Sequence, residues 1–382
     1  MKILLVVADS VLGGVTTAAY NFVGELCKRG NDVTFLDLSA DKRNQVIDSR
    51  AKQIFLEGRS KHWRLGKTEL AEAHGAKKAF LAGMGVLKKL TNKSGLWNKL
   101  IFKKLKDEYD VAIAYRQCAP CYSFVLNKVK AKKKIGFVHG DVDFMGDISS
   151  WQPLMIKFDK IAYVSNAVEK GFVSRYPELA TNACTVYNTL DLESIKERAE
   201  RSDGIIFDKD KFNIVTVSRI SNTEKRIDWI PHICKSLADE GLSDFHWYIV
   251  GDGDDLDKDV KATKALGMEK DVTFLGQANN PFPILKQANL FVLPTRSESY
   301  GLSVVEALIL SVPVVVCKYP ALSEIFEDGT LGLVAEHSIE SVTEKIKLLI
   351  KNKQEYCFMR RRCEEYHFSN DTAYDQFLKN IQ

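Results

Sequence analysis

Ser297-Glu298-Ser299-Tyr300-Gly301-Leu302-Ser303-Val304-Val305-Glu306-Ala307-Leu308 sets two carboxylates seven residues apart across a glycine turn that opens an apolar helix. Glu306 stands among Val304, Val305, Ala307, Leu308 and Ile309, on a helix that reads as largely buried. An ionised carboxylate there is costly unless something hydrogen-bonds it. A helix start also offers unpaired N–H groups and partial positive charge to an anion. One short segment thus supplies acceptors for hydroxyls and donors for a phosphate. A capped helix whose acids only complement its dipole would use the same letters. The surrounding chain has to decide.

Outward from this segment, apolar strands alternate with helices in both directions. Behind it the pattern reads strands over Phe212–Val217, Trp247–Val250, Val272–Leu275 and Leu290–Leu293, with Val312–Val316 and Gly332–Val334 beyond it. Helices fall around Ile227–Ala238, Leu256–Ala265, Pro283–Gln287, Ser303–Leu310 and Ile339–Lys351. The first half repeats the scheme: strand Ile3–Ala8, Gly13-Gly14, helix Val15–Arg29, strand Val33–Leu38. Strands near Val111–Tyr115, Lys134–Val138, Lys160–Val164 and Cys184–Tyr187 follow a basic helical region. Continuous apolar strands alternating with helices indicate a parallel sheet covered on both faces. The chain of 382 residues is too long for one ordinary core. We therefore expect two doubly wound Rossmann-like domains facing across a cleft, with the charged run Glu193–Lys211 as linker. The expected extents are 1–200 and 201–364, with a terminal helical segment at 365–382.

Composition excludes several classes. Hydrophobic residues at 45% and charged residues at 27% are normal for a globular protein. The opening Lys2–Ala8 run, ended by Asp9, is too short for a signal or a membrane span, so a cytoplasmic location is expected. Eight scattered cysteines fit reduced thiols better than a disulfide framework. Cys118-Ala119-Pro120-Cys121 has redox spacing, but not the small redox domain that usually carries it. No other Cys or His pair has zinc-finger spacing.

The net charge of +4 hides an asymmetry. Between Gly58 and Lys106 lie 13 Lys or Arg against Glu69 and Glu72 alone, a local +11 that leaves −7 for the rest. Phe80, Leu81, Met84, Leu87, Leu90, Leu96, Trp97, Leu100, Ile101 and Phe102 are interleaved at roughly helical spacing. Such a segment, 58–106, suits an anionic membrane surface or a lipid-linked phosphate. Amphipathic helices with solvated lysine faces would look the same. No nucleic-acid fold signature accompanies the charge, so nucleic acid is not an expected partner.

Candidate chemistry falls at strand ends. Ser218-Arg219-Ile220-Ser221-Asn222-Thr223-Glu224-Lys225 follows the strand ending at Val217, where Arg219 and Lys225 could hold a diphosphate with a fork and a point charge. They could equally be ordinary loop cations. Gly251-Asp252-Gly253 ends the next strand and permits close backbone approach or a tight turn. Asp252, Asp254 and Asp255, like Asp141 and Asp143, have spacing that could hold a metal, although such strings are common in turns. Gly13 and Gly14 could admit a phosphate or sugar to the first helix start, without the G-x-G-x-x-G spacing of a dinucleotide site. His139, ending the strand Ile135–Val138, could donate to a sugar hydroxyl or be purely structural.

These pieces, in this order, resemble the retaining glycosyltransferases of family 4, with the GT-B double-Rossmann fold. The resemblance spans nearly the whole chain and is strongest from Phe212 to Val316. It lies in the Arg219…Lys225 pair, the Gly251-x-Gly253 turn, and the E-x7-E signature of Glu298, Tyr300, Gly301 and Glu306. Gly13-Gly14 and His139 also correspond. Thr189 stands where the family's Asn-Gly-x-Asp has glycine, and Arg226 replaces the usual glycine after the lysine.

The resemblance implies transfer of a sugar from a nucleotide-sugar, a UDP-sugar by preference, to a glycan or polyprenyl-type lipid-linked acceptor in bacterial-type surface polysaccharide or glycoconjugate synthesis. It implies that Arg219 and Lys225 neutralise the leaving diphosphate. Ser299, Tyr300, Gly301 and Leu302 would receive the same phosphate, and Glu306 the ribose hydroxyls. Glu298 and His139 would contact the donor sugar. No metal and no cofactor would be needed. The terminal helix would cross back onto the first domain through Phe368, Tyr374 and Phe377, with Ser369 or Asn370 as cap. Two readings remain beside transfer: a nucleotide-sugar 2-epimerase of the same fold, and a non-catalytic module that uses the basic segment alone.

Overall fold

The computed structural model describes residues 1–8, 13–39, 48–57, 60, 63, 73–91, 96–201 and 204–382. Two units make up the chain: Met1–Leu190 with Asn370–Gln382, and Asp191–Ser369.

The first unit holds a seven-stranded sheet of β1 (Lys2–Val7), β2 (Asp32–Asp37), β3 (Lys52–Ile54), β4 (Glu108–Ala114), β5 (Lys130–Val138), β6 (Lys160–Tyr163) and β7 (Ala183–Thr185). Their order is β3-β2-β1-β4-β5-β6-β7, and every pairing is parallel. Ile3, Leu4, Leu5 and Val6 are fully buried, as an unbroken apolar run must be when helices cover both faces. The short edge strand β3 has no signal in Lys52-Gln53-Ile54, where only one residue is apolar. Strand order reverses between β1 and β4, which places a switch point at their carboxyl ends.

The terminal helix Asp371–Ile381 belongs to this unit. Phe377 is fully buried and meets Phe22 edge-on at 5.4 Å between ring centres. Asn370 does not cap that helix with its side chain. Its amide instead donates to Glu25 Oε2 and to the Leu190 carbonyl, both at 2.9 Å, while its carbonyl oxygen accepts from Leu190 N–H at 3.0 Å. Glu25, itself buried, also accepts from Arg29 at 2.7 Å. Arg29 reaches on to Asp371 and lies over the Tyr374 ring. The expected cap thus serves a partly buried polar cluster, where its hydrogen bonds satisfy a buried carboxylate.

The second unit holds β8 (Phe212–Val217), β9 (Phe245–Val250), β10 (Val272–Gly276), β11 (Leu290–Leu293), β12 (Val314–Cys317) and β13 (Gly332–Ala335), in the order β10-β9-β8-β11-β12-β13. All pairings are again parallel, and order reverses between β8 and β11.

The first part of the run expected as a linker is a helix of the second unit. Leu192–Ala199 is a helix, capped by Asp191, whose carboxylate accepts from Ser194 N–H at 3.0 Å. Ile195 and Ala199 are buried, and Lys286 pairs with Glu200. The helix packs against Phe282–Lys286 as part of the second unit. Glu193, Lys196 and Glu197 are exposed, so overall polarity masked an ordinary amphipathic turn.

In the basic segment, Arg59, Lys61, Arg64, Lys67, Glu69, Glu72 and Lys93 lie outside the described residues. The helix Gly75–Thr91 buries Leu81 and Met84 and exposes Phe80 (53%), Val86 (60%) and Leu90 (76%) beside Lys77, Lys78 and Lys89. Trp97, Ile101 and Phe102 go into the core, whereas Leu87, Leu96 and Leu100 are exposed. Among the described residues no helix is long and apolar enough to cross a membrane.

Candidate functional site

The residues singled out in the second unit converge at the carboxyl end of its sheet. Arg219 and Lys225 follow β8, Gly251 and Gly253 follow β9, and Glu298 to Leu302 follow β11. Since β8 and β11 are the neighbours across the order reversal, the Lys225 and Glu298 loops flank the switch point.

Backbone contacts draw these loops together. Arg296 N–H donates to the Glu224 carbonyl at 2.7 Å, and the Thr295 hydroxyl lies between the carbonyls of Glu224 (3.1 Å) and Ser297 (2.9 Å). Lys225 Nζ then donates to Glu298 Oε1 at 2.6 Å and to the Ser297 carbonyl at 3.3 Å. Both side chains are mostly shielded, at 14% and 17% exposed. Arg219 is open, at 62%, and pairs with Glu224 at 2.6 Å.

The glycines have steric reasons. A Cβ on Gly251 (φ +151) would stand 1.8 Å from the Ser218 carbonyl oxygen, and one on Gly253 2.0 Å from that of Ile220. Their closest approach is therefore to the loop bearing Arg219, stitched further by Ile220 N–H to the Asp252 carbonyl at 2.9 Å. Gly301 is left-handed (φ 95), and a Cβ there would strike the Tyr319 hydroxyl at 2.2 Å. That hydroxyl donates to the Tyr300 carbonyl at 3.1 Å, fixing the turn ahead of helix Leu302–Ile309. Tyr300 is buried, Ser299 half-buried. The N–H groups of Leu302 and Ser303 begin the helix without intrahelical acceptors.

Glu306 sits one turn into that helix, half-buried among buried Val305 and Ala307. Burial pushes its carboxyl up to about 7, against the pull of Arg198. Arg198 is the residue the sequence reading missed, because it lies in the supposed linker. It stacks over the Phe282 ring at 4.7 Å and donates to the Asn279 carbonyl at 2.8 Å, while its own carbonyl accepts from Asn280 at 2.8 Å. The usable signal was Asp191-Leu192-Glu193-Ser194, an N-cap followed by amphipathic spacing.

The two departures from the family pattern differ physically. Thr189 is buried without left-handed backbone. Arg226 has φ 53, the region where glycine is favoured. It is held there by a bond to the Asn222 carbonyl (3.2 Å), an ion pair with Asp228 (3.2 Å) and stacking on Trp229 (4.7 Å).

The aspartate strings serve loops. Asp255 accepts from Asn222 N–H at 2.8 Å, Asp252 from Gly253 N–H at 2.8 Å, and Asp143 pairs with Arg175 at 2.7 Å. Among the described residues no three metal-ligating side chains cluster.

In the first unit, Gly13 is extended and caps helix Gly14–Lys28. Among the described residues, a Cβ on Gly13 or Gly14 would meet nothing within 4 Å. His139 follows β5, buried between Tyr115 (4.5 Å between ring centres) and Phe137 (5.9 Å). Burial lowers its pKa to about 3, so the ring is neutral near neutrality. Its Nε2 is buried and has no partner among the described residues. As a neutral ring, His139 presents Nε2 as donor or acceptor according to its tautomer.

Residues 211–352 match the family model "Glycosyl transferases group 1". The chain is 25% identical over 345 residues to an uncharacterised 41.2 kDa protein in the cps region of Klebsiella pneumoniae, covering 86% of this chain and 84% of that one. It is 24% identical over 253 residues to the N-acetyl-alpha-D-glucosaminyl L-malate synthase of Bacillus anthracis, covering 64% of each. A structure of an S. aureus TarM variant with Fondaparinux, alpha-GlcNAc-glycerol and UDP superposes with a TM-score of 0.71 at 15% identity, covering 100% of both chains. The fold is GT-B, two Rossmann-like parallel-sheet units. The matched stretch, residues 211–352, is thus a group 1 glycosyltransferase domain.

Proposed function

We propose that the chain moves a hexosyl group from a UDP-sugar to a glycan or lipid-linked acceptor with retention at the anomeric carbon and without a metal. The observation that carries this reading is the Lys225–Glu298 contact beside the Gly301 helix start: a cation, a carboxylate and free N–H groups at one switch point. Lys225 and Arg219 would take the charge that develops on the departing diphosphate, supported by the helix start. Glu306 would accept from the ribose, and Glu298, released from Lys225, from the donor sugar. His139 would bond a sugar hydroxyl through Nε2, and Gly13 and Gly14 would admit sugar or phosphate to their helix start. On a same-face path the leaving phosphate would receive the acceptor's proton. The UDP bound to TarM supports the choice of nucleotide.

The test is a nucleotide-sugar panel scored for released nucleoside diphosphate, with and without membrane extract. Release dependent on acceptor supports transfer. Interconversion of UDP-sugar epimers without any acceptor would replace it by the 2-epimerase reading. The exposed Phe80, Val86 and Leu90 beside lysines support a further element of the proposal, peripheral attachment to an anionic membrane face. Salt-insensitive or absent binding to anionic vesicles would remove that element alone.

A further inference from the structure

Cys118-Ala119-Pro120-Cys121 plays no part in the proposed transfer. It begins helix Ala119–Lys128 at the end of β4. Cys118 immediately precedes the helix with extended backbone (φ −159, ψ 152) and is half-exposed. Cys121, third in the helix, is fully buried, and its thiol donates to the Val6 carbonyl at 3.2 Å. Cys118 is near enough to Cys121 to help burial push its thiol up. This follows from position: a side chain at the cap reaches the third residue of its helix. Pro120, second in the helix, lacks an N–H of its own and presets the backbone of the first turn. The pair adjoins the histidine: Gln117 Oε1 accepts from His139 N–H at 3.3 Å, and Tyr115 packs on its ring.

We propose that Cys118 and Cys121 form a reversible dithiol–disulfide site that takes a low-molecular-weight disulfide as oxidant. Cys118, the reachable sulfur, attacks as thiolate at a helix start that favours negative charge. The small disulfide's S–S bond breaks, a mixed disulfide forms on Cys118, and one small thiolate leaves and takes a proton. Cys121 then gives up its proton, attacks the Cys118 sulfur and expels the second small thiol. The protein loses two electrons and two protons, and the small disulfide gains both. Burial pushes the Cys121 thiol upward, which suits a resolving sulfur that stays protonated until its partner is activated. Closing the bridge ties down the Gln117–Cys118 segment that contacts His139.

The full chain is equilibrated with graded mixtures of reduced and oxidised glutathione, acid-quenched, alkylated and digested. The peptide carrying both cysteines is expected to lose its two alkylation sites together, become two hydrogens lighter, and recover both sites in dithiothreitol. Cys121→Ser is expected to leave one glutathione on Cys118, and Cys118→Ser to leave Cys121 unmodified. Full alkylation of both cysteines in the most oxidising mixture, or a lasting glutathione on Cys118 in the parent protein, overturns the proposal. Should Cys121→Ser fail to fold, the parent protein and Cys118→Ser decide the matter by themselves.

Discussion

Lys225 and Glu298, 73 residues apart in sequence, meet at 2.6 Å across the point where strand order reverses between β8 and β11. Their shielding makes the pair more than a surface contact, and it assigns each charge a resting partner that a diphosphate sugar would have to replace. Removing either side chain strands the other in a poorly solvated place.

Lys225→Ala is expected to lower turnover at least ~100-fold, the scale seen when one preorganised group facing transition-state charge is lost. It should also cost stability, roughly 2 kcal/mol, between the values for exposed and buried pairs. The double variant with Glu298→Ala should recover part of that stability and none of the turnover. Thermal unfolding and initial rates on the four proteins check this; equal stability of all four would contradict the geometry.

Glu306 governs a pH dependence whose sign can be worked out. Its folded pKa, about 7, lies above the ordinary carboxyl value of 4.5, so the folded state holds a proton that the unfolded chain has released. Its contribution to stability is therefore favourable below about 4.5 and lost as pH rises through 7. Nucleotide affinity should run the other way, rising through pH 7 as the carboxylate forms. Glu306→Gln should flatten both dependences, and Arg198→Met should move the affinity midpoint upward. Calorimetric titration of UDP across pH 5.5 to about 8.5 reads the effect, with an unaltered midpoint in Arg198→Met counting against the electrostatic link.

His139 has the opposite sign. Its folded pKa of about 3 lies below the ordinary 6.5, so its contribution is complete above 6.5 and lost as pH falls toward 3. His139→Gln should be less acid-sensitive than the parent protein over that window, measured as unfolding midpoint against pH. A steeper acid loss in the variant would show that the ring is not held neutral.

Two left-handed residues that are not glycine provide a test of backbone strain. Ser311 (φ 62) follows helix Leu302–Ile309, where Val312 N–H reaches back to the Ala307 carbonyl at 2.9 Å. Ser311→Gly should stabilise by about 1 kcal/mol, because the left-handed conformation costs other residues ~1–2 kcal/mol. Arg226→Gly should gain much less, since it relieves φ 53 but gives up the Asn222, Asp228 and Trp229 contacts. Denaturant midpoints of the two variants separate the cases.

Period and burial were legible in the chain itself. Phe212–Val217, Leu256–Ala265 and Ile339–Lys351 are the elements their spacing predicts, because a run covered on both faces or one apolar stripe leaves its mark on consecutive residues. The alternation of such runs was sufficient for two parallel sheets, and the E-x7-E segment for a helix start between two carboxylates. Local letters failed where charge outnumbered packing. Leu192–Ala199 reads as solvent-borne, yet Ile195 and Ala199 are enough to seat it, and Arg198 comes with it to Glu306.

What tertiary structure alone decided was partnership. Nothing near Lys225 announces Glu298, nothing near Asn370 announces Glu25, and the protonation of Glu306 and His139 depends on walls assembled from distant segments. Hydrophobic period is written residue by residue along a strand or helix. Electrostatics and hydrogen bonding are properties of atoms that meet only after the sheet has chosen its strand order.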